Sequence, residues 1–184
     1  MALNNADNPL MRDRSYGELP AKLWTELQEV PPTTDGDLEY RPCCVQLKDG
    51  RWLDRVFVVP KVPYKSVWGI WPEEDSGKRH VPISEVVAIK DRPSRLPAAI
   101  ANEIYRGGES CMGGVLFAIQ FSDSSVEHFG CGNAVDFINY PPGKSGADII
   151  KVMLHHRASQ HPHWGPEYAW CIFDGIEDTP AKSI

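Results

Sequence analysis

Four of the six histidines fall in one short stretch, His155-His156-Arg157-Ala158-Ser159-Gln160-His161-Pro162-His163. Imidazole suits zinc, copper or nickel, and the two-residue step from His161 to His163 would place both rings on one side of an extended segment. The stretch lacks the helical His-Glu spacing of zinc proteases and brings no thiolate or carboxylate at a fixed interval. The favoured reading is a polar strand end entering a Pro-bearing loop, with no metal and no other cofactor expected. His155, His156, His161 and His163 remain the ligand set should a metal bind.

A second chemical feature is the loop Gly107-Gly108-Glu109-Ser110-Cys111-Met112-Gly113-Gly114. Gly-rich loops that cradle phosphate precede a helix, whose N-terminal amides face the anion. This loop follows a predicted helix, and the carbonyls at its C-terminal end would repel an anion. A C-cap at Gly107 and an adaptable lead into the next strand are the expected uses. Cys111 would serve as a nucleophile with His128 or His155 as base, but Glu109 and the helix C-terminus both oppose a reactive thiolate. In the strand that holds His128, pairing the apolar faces turns Phe129 inward and His128 outward.

The carboxylates form no recognisable acid/base pair. Glu73, Glu74 and Asp75 read as a solvated loop run, and Asp123, Glu127, Asp136 and Asp148 sit on separate elements. Neither a nucleophile elbow, a Walker loop nor a dinucleotide fingerprint is present.

Bulk properties narrow the class. The 184 residues, 42% hydrophobic, are enough for one domain with a real core, and the net charge of -6 opposes nucleic-acid binding. Acidic and basic residues are mixed through both halves, so neither half is a charged tail. The polar N-terminus and the lack of a membrane-length apolar run lead to a cytoplasmic, non-membrane expectation. The five cysteines match neither a zinc ribbon nor a disulfide framework, and read as small buried hydrophobes.

The elements that must position these residues come in a repeated order. Leu19, Leu23, Leu27 and Val30 form one helical stripe behind Pro20, and Pro31-Pro32 ends it. Cys43 to Leu47 and Trp52 to Val59 flank an Asp-Gly turn, predicting a hairpin. Val67 to Trp71 and Val86 to Ile89 read as further strands. Leu96 to Ile104 then restates Leu19 to Leu27, and Ile119 to Val126 restates Val45 to Trp52, including an apolar-Gln-apolar run before the turn. Asp148 to Val152 restates Glu85 to Ile89.

The predicted fold is therefore α+β, with two pseudo-symmetric helix-plus-antiparallel-strand units, 14–92 and 93–157, sharing one core. A flexible leader occupies 1–13, and the apolar tail 158–184 is expected to pack on the second unit, with Ala169 to Phe173 as an edge strand. The functional expectation is a non-catalytic binding or adaptor module for a protein or small ligand; a homodimer is compatible with it. Its groove would lie between the units beside Gly107 to Gly114, with Glu109, Ser110, Met112, Asn133 and Asp136 as contacts. The alternative is a small enzyme using the histidine stretch with a metal, or Cys111.

Overall fold

The computed structural model describes residues 14–155 and 161–177. The leader expected over 1–13, the boundary drawn at 157 and His156 lie outside the described residues. Within them the chain is α+β, with three α-helices and two sheets. Helix α1 (Ala21–Gln28) carries the predicted stripe, and Leu19, Leu23, Leu27 and Val30 are buried. The stripe packs on Cys43, Val45, Val56, Val58 and Phe173 of the first sheet. Each buried leucine is worth about 2 kcal/mol of apolar transfer.

The first sheet holds strands β1 (Thr33–Asp35), β2 (Leu38–Leu47), β3 (Trp52–Pro60), β4 (Arg79–His80), β5 (Val86–Asp91) and β10 (Ala169–Phe173), and the second holds β6 (Val115–Phe121), β7 (Val126–Cys131), β8 (Ile149–Leu154) and β9 (His163–Trp164). The face of the first sheet away from α1 presents Tyr40, Phe57, Val59 and Trp170. These meet Phe117, Phe121 and Phe129 of the second sheet, and Ile104 and Tyr105 of α3 (Ala98–Gly107), in the larger core cluster.

Connectivity within the two halves runs alike. Strand β2 pairs antiparallel with β3 on one side and β5 on the other, as β6 pairs with β7 and β8. The register shifts between Gln46 and Leu47 against β5, and between Gln120 and Phe121 against β8. The amide of Lys48 donates to the Glu85 carbonyl at 2.9 Å, and that of Ser122 to the Asp148 carbonyl at 2.8 Å. Both hairpins turn through a left-handed residue, Gly50 at φ 88° and Ser124 at φ 70°. The halves also differ: helix α2 (Lys61–Trp68) and strand β4 belong to the first alone.

Two expectations are corrected. Residues 67–71 are not a strand. Val67 and Trp68 close α2, and Gly69 at φ 69° turns the chain out of the helix. The apolar spacing there serves a helix whose Tyr64 is buried against Trp170, ring centroids 5.0 Å apart. Next, Ala169 to Phe173 is no edge strand: β10 lies between β3 and β4, parallel to both. The same segment joins the sheet of the first unit while its Trp170 and Ile172 pack into the core shared with the second sheet, and His163–Trp164 earlier in the tail pairs with β7. All five residues of β10 are buried, the pattern of a strand covered on both faces.

The outer edge of β5 is closed by α1. Glu26 accepts from the Ile89 amide at 2.7 Å, and Lys22 donates to the Val87 carbonyl at 3.0 Å, so two side chains stand in for a neighbouring strand.

Candidate binding cleft

The C-terminal ends of α2 and α3 converge on a cleft of about 250 Å³. Val67 and Trp68 come from α2, Ile104 and Tyr105 from α3, and Gly108 and Glu109 from the loop beyond it; Asp35 at the end of β1, Val115 at the start of β6 and Asn133 complete the lining. Two glycines set the loop's exit. A Cβ on Gly107 would stand 2.7 Å from a Leu154 methyl, and Gly108 turns at φ 70°. The turn predicted at Gly107 thus falls one residue later, Gly107 itself closing the helix.

Beneath the cleft runs a buried polar network. The Trp68 indole N–H donates to the Tyr40 hydroxyl at 3.3 Å, and that hydroxyl faces Asp35 closely enough to favour its charged form. Burial pushes the Asp35 carboxyl above its ordinary value, and the Tyr40 hydroxyl draws it partly back. Asp136 lies deeper and is fully buried. It accepts from the Tyr105 hydroxyl at 2.6 Å and from Thr33 Oγ1 at 2.8 Å, while the Val135 amide donates to the Tyr105 oxygen at 3.0 Å. Burial raises Asp136 to about 6 despite these donors. Thr33 and Asp35 belong to the first half and Tyr105 and Asp136 to the second, so the network ties the halves together directly under the cleft.

The residues named from sequence fall in different places. Glu109 and Asn133 line the cleft. The Gly113 amide donates to the Glu109 carboxylate. Ser110 accepts the Leu116 amide at 2.6 Å and so braces the loop. Met112 is fully exposed and is not part of the lining, while Asp136 is enclosed under the floor.

Cys111 sits in a tight turn exchanging backbone hydrogen bonds with Gly114. His128 pairs with Ala118, four residues along β6 from Gly114, or about 13 Å of strand. Thiol and imidazole are therefore not brought together. Phe129 lies opposite Phe117 and is buried, whereas His128 is half-buried on the other face. His155 turns the chain just beyond β8 at φ 54°, and His163 contacts Glu127 at 3.2 Å. Among the described residues no three His, Cys, Asp or Glu side chains group as a metal site. No helix there is long and apolar enough to cross a membrane.

Sequence reasoning missed Asp35, Trp68 and Tyr105. A signal for the first existed. Asp35 precedes the two-residue Gly36-Asp37 loop that joins β1 to β2, with Gly36 at φ 57°.

A second cluster joins Tyr16, Glu73 and His80. The Tyr16 hydroxyl donates to Glu73 at 3.0 Å, and His80 Nδ1 lies 3.2 Å from the same carboxylate. His80 Nε2 is enclosed without a hydrogen-bond partner among the described residues. Asp174 fixes the same N-terminal strap by accepting from Ser15 Oγ and from the amides of Tyr16 and Gly17. The cluster therefore fastens the strap.

Compared with known protein families, curated proteins and solved structures, the chain matches none.

Proposed function

We propose that this protein is a non-catalytic binding module, and that its ligand occupies the cleft at the ends of α2 and α3. The observation that carries this reading is the make-up of that cleft. Five separate segments from both halves supply its walls, and beneath them lies a polar network whose charged group, Asp136, is fully buried. Such a floor rigidifies a concave site at a junction between units, where ligand sites concentrate.

We also propose that the two halves are diverged copies of one unit. The shared hairpin connectivity, the matched register shifts after Gln46 and Gln120 and the matched turn bonds support this. On that reading the groove formed where the copies met, and α2 is an insertion that walls one side of it.

The test is partner capture from cell lysate by the full chain and by Val67→Trp, which fills the cleft from an exposed position. Capture lost in a variant of unchanged thermal stability supports the reading. Capture that persists in the folded variant moves the site elsewhere.

A further inference from the structure

The cleft's chemistry is one-sided. Among the described residues its carboxylates are Asp35 and Glu109, and no lysine, arginine or histidine lines it. Glu109 is exposed at the mouth, while Asp35 is half-buried, where a carboxylate supported by one hydroxyl is poorly compensated. Two helices also direct their C-terminal ends here, adding partial negative charge of the same sign. At α2 this is partly offset, because Lys65 binds the Gly69 carbonyl at 2.8 Å.

The remaining walls are apolar. Val67, Ile104 and Val115 surround the cavity, and the Trp68 indole closes it. Lys78 already lies 4.1 Å over the Trp68 ring, so the indole acts as a wall and not as an open platform for a cation. A volume of about 250 Å³ falls below the roughly 300 to 1,000 Å³ of sites for drug-sized ligands. It suits one side chain. Acid at the polar end, hydrocarbon along the wall and a net charge of -6 together select a ligand with a cationic head and an alkyl stem.

Resting on the cleft reading above, we infer that the cleft receives the guanidinium or ammonium end of an arginine or lysine side chain from a partner protein, with Asp35 and Glu109 as its counter-charges and Asn133 as a further polar contact. A guanidinium presents five donors in a plane and reaches two carboxylates and an amide oxygen together. The methylenes lie along Val67, Ile104 and Val115. An anionic ligand would meet two like charges, and a neutral one would leave the half-buried Asp35 without a counter-charge.

The experiment is an NMR titration of the full chain, following the Trp68 indole and the Gly108 and Asn133 signals. The probes are a capped Gly-Arg-Gly peptide, its citrulline and glutamate counterparts, and methylguanidinium chloride. The arginine peptide should shift these signals saturably and citrulline should not. Affinity should fall several-fold between about 20 and about 300 mM salt, as a charge-driven contact requires. It should fall about ten-fold in Asp35→Asn and in Glu109→Gln, one charge-assisted contact being worth about 1.4 kcal/mol. Glu109 is exposed, so Glu109→Gln is the variant whose fold is safe, and an unchanged spectrum elsewhere confirms it.

Equal shifts with citrulline, or binding of the glutamate peptide, overturn the cation while leaving the cleft as a binding site. Methylguanidinium binding as tightly as the peptide overturns the side-chain source, since the stem then contributes nothing. No shift with any probe also overturns the inference, whereas the cleft reading stands or falls by capture with Val67→Trp.

Discussion

Replacing Asp136 with Asn tests the buried network through its pH dependence. The carboxyl is raised from its ordinary 3.8 to about 6 by burial, against the pull of Tyr105 and Thr33. Between those two values the folded chain holds a proton that the unfolded chain has released. Folding is thus penalised progressively as pH rises from about 4 to about 6, and the penalty is constant above that. At about 1.4 kcal/mol per pH unit the full penalty is about 3 kcal/mol. Asn keeps the shape and cannot ionise. Its carbonyl can accept from Tyr105 and its amide can donate to a reoriented Thr33 hydroxyl, so the exchange costs about 1 kcal/mol in weaker hydrogen bonds.

The assay is thermal unfolding of both proteins from pH 4 to pH 7, read as a difference. The subtraction removes groups common to both, such as Asp123 and Asp174, whose lowered values act in the opposite direction at acid pH. For a chain of this size the wild type should lose roughly 6 to 12 °C relative to Asp136→Asn across that interval. Parallel curves would refute the reasoning, because they would mean that burial does not raise this carboxyl. Asp136→Ala is the contrast: two buried hydroxyls lose their acceptor, and about 2 to 4 kcal/mol should be lost across the pH range.

Ser124→Gly should stabilise by about 1 kcal/mol, because the left-handed turn position at φ 70° costs a non-glycine residue; chemical denaturation measures it, and no gain would show that the turn relaxes at no cost. Gly114→Ala should destabilise by at least about 2 kcal/mol or displace the 107–114 loop, since its Cβ would stand 2.6 Å from the Cys131 carbonyl. Glu26→Ala should speed hydrogen exchange of the Ile89 amide about ten-fold, as it loses its acceptor at 2.7 Å, while amides inside the β2–β3 hairpin keep their rates. For Asp174, burial alone would raise the carboxyl, but Ser15, Lys61 and the amides of Gly17 and Tyr16 bring it down to about 2. Its contribution is present above the ordinary carboxylate value and fades as pH falls towards 2. Asp174→Asn should therefore make residues near Arg14 more open to proteolysis at pH 7 and no more so near pH 2.

What the sequence determined by itself is local and periodic. The leucine stripe behind Pro20, the Asp-Gly turn after Leu47 and the recurrence of both near Leu96 and Ile119 place two helices and two hairpins, because each depends on neighbours a few residues apart. The glycines at 107 and 108 likewise end a helix wherever it packs. The composition of the candidate cleft was only half legible: Glu109 and Asn133 belong to recognisable loops, whereas Asp35 meets the second half through tertiary contacts alone.

Tertiary structure decided the rest. Val67 and Trp68 have apolar spacing that fits strand or helix, and burial of Tyr64 against Trp170 settles it as helix. The segment from Ala169 to Phe173 reads as a strand in isolation, but its place between β3 and β4 depends on parallel pairing with residues far earlier in the chain, Ala169 lying opposite Val56 on one side and Arg79 on the other. Asp136 is an ordinary acidic residue in the sequence. Its raised value exists because Thr33, 103 positions away, and Tyr105, 31 away, enclose it in the space left between two sheets. A local pattern records which side chains share a face, while desolvation depends on everything that surrounds a group, and that is known only once the chain has closed around it.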